Sequence, residues 1–291
     1  MAIDLTQFKR SHCCQGTATA GELSETLKQI RQFDAKSENS RRLMRWMMLI
    51  SFLLIIAGFA GGIALTNPIL FLVAMGSGAV FVLLIVLHTL TGQKDLPNRR
   101  YELLEDLIGV VRRDMPKDAP LNVSLDLAPP HAPRKKTRQD KVKDWNVTYF
   151  DDPWLKLSGK FADGTDFEIS MLERYQARKK WAKSRSGKSK LKMKSKSATL
   201  TTVNIYPKQR KYANLNQVAN QIRAHVQLPQ WSRVKKAEVD SKSLKLTSVT
   251  TAEWAVKRTD PKTEFDGKHL VVLSLLSLYQ VLNVSKSLPA A

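Results

Sequence analysis

The sequence predicts a two-helix transmembrane hairpin joined to a cytoplasmic α+β domain with an antiparallel sheet. Two uncharged apolar runs, Trp46–Leu65 and Ile69–Leu90, are separated only by Thr66, Asn67 and Pro68. Basic residues flank the outer ends of both runs, and short aromatic and β-branched stretches punctuated by Asp, Gly and Pro follow. A chain of 291 residues buries a core without disulfides or metals. Its formal charge of +21 points to anionic partners such as lipid headgroups, nucleic acid or acidic proteins.

Residues 1–43 read as an N-terminal cytoplasmic tail with a short amphipathic helix. Thr19 and Glu22 have capping-box spacing, and Leu23, Leu27, Ile30 and Phe33 then fall on one helical face. Adjacent Cys13 and Cys14 lie in the polar part of this tail. Neighbouring cysteines rarely bridge usefully, and with no others in the chain they suit a reducing compartment and exclude a disulfide framework or Cys-rich zinc site.

Residues 44–92 form the hairpin. Each run supplies the ~20 apolar residues that cross about 30 Å of hydrocarbon, and the first is too long and too far from Met1 for a signal peptide. Pro68 suits the first turn of the second helix. Arg41, Arg42 and Arg45 precede the first run, Lys94, Arg99 and Arg100 follow the second, and the turn is uncharged, so the positive-inside rule puts both termini in the cytoplasm. The sequons at Asn122, Asn146 and Asn283 are then expected to be unused. Gly58, Gly61 and Gly62 in the first run, and Ala74 and Gly78 in the second, are small residues at helix-packing spacing. They serve either to close the hairpin or to join protomers into a homo-oligomer. The runs lack Asp, Glu, Lys and Arg, the usual markers of an ion path, and His88 falls at headgroup level.

Residues 93–127 read as a juxtamembrane helix and loop, with Tyr101, Leu104, Leu107, Ile108 and Val111 on one side and Met115-Pro116 ending the pattern. Residues 128–141, APPHAPRKKTRQDK, have no apolar period and read as a linker. Residues 142–291 read as a basic α+β domain. Strands are expected at Trp145–Phe150, Trp154–Phe161 and Phe167–Tyr175, with Asp151-Asp152-Pro153 and Ala162-Asp163-Gly164 as turns. After a turn at Ser184–Gly187, a fourth strand runs through Lys188–Lys196 into Ala198–Tyr206. A helix at Leu215–Val226, a strand at Leu244–Val249 and a buried helix at Leu270–Leu282 complete the domain.

The candidate binding surface is the run from Arg174 to Lys196, in which about one residue in two is basic and none is acidic. It comprises Arg174, Arg178, Lys179, Lys180, Trp181, Lys183, Arg185, Lys188, Lys190, Lys192, Lys194 and Lys196. Like charges at this density repel unless solvent, salt or an anionic partner offsets them. Beside a bilayer the first such partner is anionic lipid, with Trp181 at headgroup depth; an acidic protein is the second, and nucleic acid stacked on Trp181 and Tyr175 the third.

Motifs for chemistry fail on inspection. Gly187-Lys188-Ser189 resembles the end of a phosphate-binding loop, but Ala182 stands where the first glycine is required. There is no GxSxG, HExxH or paired CxxC, the five histidines are scattered singly, and Asp151, Asp152, Asp163, Asp166 and Glu168 read as turn residues. No catalytic residue, metal or cofactor is expected. The sequence thus favours a membrane-anchored, non-enzymatic interaction or scaffold protein. A membrane enzyme with an unrecognised site, and a subunit of an oligomeric membrane complex or channel, are the alternatives.

Overall fold

The computed structural model describes residues 8, 11–92, 96–183, 187–208, 210–212, 215–219, 222–251, 254 and 265–287. Lys94, Arg185 and residues 184–186 of the expected turn lie outside the described residues. Residues 1–26 and 97–291 form one compact unit and residues 27–96 another. The elements are β1 (Cys13–Thr19), α1 (Ala20–Ala64), α2 (Pro68–Gly92), α3 (Asn98–Val111), β2 (Pro120–Asp126), β3 (Lys136–Val142), β4 (Trp145–Lys160) and β5 (Asp166–Lys183). They continue with β6 (Ser189–Tyr206), α4 (Ile222–His225), β7 (Arg233–Val239), β8 (Leu244–Thr250) and α5 (Gly267–Ser287).

In the first unit an eight-stranded antiparallel sheet runs β1-β2-β4-β5-β6-β8-β7, with β3 paired to β4 beside β2. Its spine is the β5–β6 pair, in unbroken register from Asp166↔Tyr206 to Lys183↔Ser189. Period-two alternation buries Phe167, Ile169 and Met171 of β5 with Val203 and Ile205 of β6. The buried stripe of α3, Tyr101, Leu104, Leu107, Ile108 and Val111, completes the core with Leu270, Val271, Leu278 and Val281 of α5. Gly164, at φ +87°, makes the β4–β5 turn where the sequence expects it.

Several expectations are corrected. Asp151-Asp152-Pro153 does not turn: β4 runs through it for 16 residues and absorbs the irregularity as a bulge between Pro153 and Leu155. Asp152 is fully buried there, where a turn would leave it in water. Residues 128–141 are not a free linker, because Pro133–Lys135 forms a 3-10 turn and β3 pairs along β4. Cys13 and Cys14 lie in β1, which pairs along β2, so this part of the tail belongs to the sheet. The helix expected at Leu215–Val226 is reduced to a 3-10 turn at Leu215–Val218 and the single turn of α4.

The short amphipathic helix is instead the start of the 45-residue α1. The capping box forms: the Thr19 amide donates to the Glu22 carboxylate at 2.8 Å, and the Glu22 amide donates to the Thr19 hydroxyl at 3.4 Å. The Thr19 amide, and its hydroxyl donating at 3.1 Å, hold the Glu22 carboxyl below its ordinary pKa.

In the second unit α1 and α2 pack antiparallel. Ser51 donates to the Ser77 carbonyl at 2.7 Å, and Phe52–Phe81 and Phe59–Phe71 meet at 6.1 and 6.0 Å between centroids. A Cβ on Gly58 would stand 2.8 Å from the Leu70 carbonyl oxygen, and one on Gly62 2.8 Å from the Phe71 ring. Gly61 similarly faces Leu70, and Ala74 is buried. Gly78 is the exception: a Cβ there meets nothing within 4 Å. Outward-facing Ile50, Leu53, Ile63, Leu72, Met75 and Leu83 are exposed, an apolar surface suited to hydrocarbon rather than water.

Among the described residues three helices are long and apolar enough to cross a membrane: Ala20–Ala64, Pro68–Leu90 and Gly267–Ser287. The third differs in kind, with half of its most apolar window buried inside the protein, against 17% and 11% for the others. Its Ser277 hydroxyl accepts from the Gln227 amide at 3.0 Å and donates to the Gln227 carbonyl at 3.2 Å, fixing it to the sheet domain.

Gly58→Leu is expected to destabilise the detergent-solubilised protein by about 1–3 kcal/mol, because the side chain must displace backbone. Gly78→Ala should change stability by less than about 0.5 kcal/mol. Equal melting temperatures for the two variants would contradict the close approach at Gly58.

Candidate functional site

The basic run lies on the outer half of the β5–β6 pair. β8 leaves β6 at Thr199 and the β4 pairing ends at Asn146↔Lys179, so Lys180–Lys183 and Ser189–Lys192 continue as a two-stranded ribbon. Directly opposed residues share a face. One face therefore carries Arg178↔Lys194, Lys180↔Lys192, Ala182↔Lys190 and Gln176↔Lys196, and the other carries Lys179↔Met193 and Trp181↔Leu191. The alternating lysines of β6 put Lys190, Lys192, Lys194 and Lys196 in one row, and Arg178 and Lys180 of β5 join them, with Arg174 farther back on the same face.

The opposite face is apolar at its centre and unprotected: Trp181 is 70% exposed, Met193 66% and Leu191 41%. Lys179 and Lys183 flank it. Trp145 lies under the cationic row, with the Lys180 and Lys194 ammonium groups 5.0 and 5.9 Å from its centroid. Arg174 sits at the ribbon's root, 3.8 Å from Asp151, and Lys188 is exposed beside the turn at Gly187. Tyr175 packs against Phe150 and His131, with ring centroids 6.0 and 6.1 Å away, and lies six residues back from Trp181 on the same face of β5.

The root of the ribbon is held by a buried ion network that the sequence did not announce. The Arg100 guanidinium, 1% exposed, bonds Asp152 at 2.7 Å and Glu173 at 2.8 Å, and donates to the Asp126 carbonyl at 3.1 Å. Its charge lies 5.2 Å from the Trp154 ring centroid. Lys135 pairs with Asp152 at 2.7 Å and Asp126 at 3.1 Å, and Arg134 holds both Asp126 oxygens at 2.9 Å. Trp154 stacks on Trp254, which in turn lies 5.0 Å below Arg99. These groups had read as a membrane flank, a linker and a turn. Arg100 lies 52 and 73 positions from its two acids, so no local pattern reveals them.

Other reactive side chains are subdued. Burial pushes the Cys14 thiol up to about 11, and it raises Cys13 as well despite the Arg134 contact. His12 is lowered, chiefly by burial. A cavity of about 570 Å³ in the domain is lined by Val111, Phe161, Leu275 and Tyr279 with Asp114 and Asp163. Burial raises the Tyr279 phenol above its ordinary pKa, while the Thr165 side chain opposes that shift. Among the described residues no three His, Cys, Asp or Glu side chains gather as a metal site.

No family model, curated protein or solved structure matches this chain. The class that fold and surface define is therefore structural: an antiparallel α+β domain bearing a projecting basic ribbon, on a chain with apolar helices of membrane-crossing length.

Arg100→Ala is expected to cost about 3–5 kcal/mol in chemical denaturation, since it leaves Asp152 and Glu173 buried without their shared cation. A loss below about 1 kcal/mol would show that the network does not brace the sheet. At pH 8 a thiol of pKa about 11 is about 0.1% ionised, so Cys14 in the folded protein should alkylate roughly a hundredfold more slowly than in urea. Equal rates would contradict its burial in β1.

Proposed function

We propose that this chain is a membrane-anchored, non-enzymatic interaction protein whose cytoplasmic ribbon engages the anionic bilayer surface. The observation that carries the reading is the division of the ribbon into a cationic row and an exposed face centred on Trp181, Leu191 and Met193. A bilayer interface offers both complements at once, phosphate charge for the lysines and headgroup-level hydrocarbon for the aromatic ring. An acidic protein satisfies the first and requires a matching apolar patch for the second.

In this reading α1 and α2 span the bilayer as a hairpin and α5 does not, since α5 is half buried in the domain and carries buried Ser274 and Ser277. Arg41, Arg42 and Arg45 before the first apolar run, against an uncharged turn at Thr66–Pro68, support cytoplasmic termini. Five residues join Gly92 of α2 to Asn98 of α3, so the connection between the proposed anchor and the sheet domain is short in sequence.

Full-length protein reconstituted in nanodiscs tests this reading. Amide exchange in residues 187–197 is expected to slow when phosphatidylglycerol replaces phosphatidylcholine. It should return to the phosphatidylcholine rate when Lys190, Lys192, Lys194 and Lys196 become Gln, each removing about 1 kcal/mol of attraction. Exchange indifferent to lipid charge would exclude the lipid surface and turn the search to an acidic protein. Glycosylation at Asn146 in a eukaryotic host would reverse the proposed topology.

A further inference from the structure

The α1–α2 pair contains a second cationic feature, unrelated to the ribbon. A cavity of about 530 Å³ is lined by Ala35, Glu38, Asn39, Arg41, Arg42 and Arg45 of α1 and His88 of α2. Its position follows from the packing. Phe52 meets Phe81, and seven residues earlier on α1 and seven later on α2, one heptad outward on both antiparallel helices, stand Arg45 and His88. The contacting stripe on α1 thus changes from aromatic Phe52 to cationic Arg45 within two turns, and a cavity replaces the Phe–Phe contact.

We infer that this cavity binds the phosphate headgroup of one anionic lipid per chain. The inference rests on the proposal that α1 and α2 span a bilayer. Arg41 and Glu38 have interactions of their own, so among the described lining residues it is Arg42 and Arg45 that bring positive charge to be matched. Arginine is suited to this role, because its planar guanidinium stays ionised and bonds phosphate oxygens in a bidentate fork. Depth is the second argument. Arg45 directly precedes the uncharged run that opens with the exposed Trp46, and His88 lies two residues before that of α2 ends, so the end of the cavity at Arg45 and His88 falls at headgroup level, next to the apolar helix faces. A lipid fits such a place in two parts, with phosphate against the arginines and acyl chains along the apolar helix faces.

The test uses the full chain in detergent and native mass spectrometry, with phosphatidylglycerol, phosphatidylcholine and inorganic phosphate as separate probes. One phosphatidylglycerol is expected to be retained per chain, in preference to phosphatidylcholine, and Arg42→Gln with Arg45→Gln should weaken retention about tenfold or more through loss of charge-assisted contacts. The ribbon variant with Lys190, Lys192 and Lys194 changed to Gln should retain it like the parent. Equal retention of both lipids, equal retention by the arginine variant, or arginine-dependent binding of inorganic phosphate without lipid would each overturn the inference. Unchanged melting of the arginine variant separates a lost site from lost folding; should it melt lower, Arg42→Lys with Arg45→Lys, which keeps both charges but not the fork, is expected to retain phosphatidylglycerol more weakly than the parent yet still in preference to phosphatidylcholine, and loss of that preference overturns the inference. Extraction of native membranes with alkaline carbonate keeps the two proposals apart. Protein that stays in the membrane yet retains no lipid refutes only the headgroup site, whereas protein released by carbonate refutes the spanning helices.

Discussion

Two carboxylates buried where the sheet is deepest, Asp152 and Glu173, set the conditions for the rest of this domain. Each lies opposite the other across β4 and β5, and burying two carboxylates away from water is costly unless a cation pairs with them. Arg100 answers both, and Lys135 answers Asp152 again. In doing so they tie the start of α3 and the 3-10 turn before β3 to the centre of the sheet. Such a network adds little stability over a well-packed apolar core of equal volume, but it is intolerant of error. A one-residue slip between β4 and β5 would turn Glu173 to the opposite face and leave Arg100 half paired. The bulge between Pro153 and Leu155 sits directly beside these residues, so the register is set where the chain is least regular.

The same arrangement explains how a ribbon so crowded with lysine can project from a folded domain. Glu173 is the last acid on β5 before the basic run, and from Arg174 outward the strand carries no negative charge. Inside the network acids and bases are matched; outside it, opposed pairs such as Lys180↔Lys192 repel. The ribbon holds because its backbone ladder continues from the braced part of β5 and β6 and because Trp145 lies under two of its lysines. Its excess charge is a standing attraction for anions, available because the domain's fold does not need those side chains.

How much of this the sequence disclosed follows from where each signal is stored. Uncharged length disclosed α1 and α2, Thr19 and Glu22 marked a helix start, and alternation at Phe167–Met171 and Leu200–Ile205 disclosed the sheet's spine, because in each case neighbouring residues carry the pattern. β3 and β7 did not show, since KTRQDKV is exposed throughout and RVKKAEV has no fully buried residue, and pairing with β4 and β8 makes them strands. β1, with its Gly and small polar residues, depends likewise on β2. The row of lysines on β6 was legible through period two. The network was not, because Arg100, Lys135, Asp152 and Glu173 look like a membrane flank, a linker, a turn and an ordinary strand residue until the sheet brings them together.

The two cationic features answer to different physics, and this bears on how a single chain would use both. Ribbon lysines are mostly exposed, and their attraction acts over a screening length of about 8 Å at physiological salt, so it weakens as ionic strength rises. Arginines at the mouth of two apolar helices act beside low-dielectric surroundings, where screening is poor and contact geometry decides. In the proposed reading the first would give a reversible, salt-sensitive grip on the bilayer, and the second a stoichiometric site on the helix pair itself. A protein with only the ribbon would respond to bulk lipid charge. One with the cavity as well would also distinguish a bilayer in which one kind of headgroup is present from a bilayer that is merely negative.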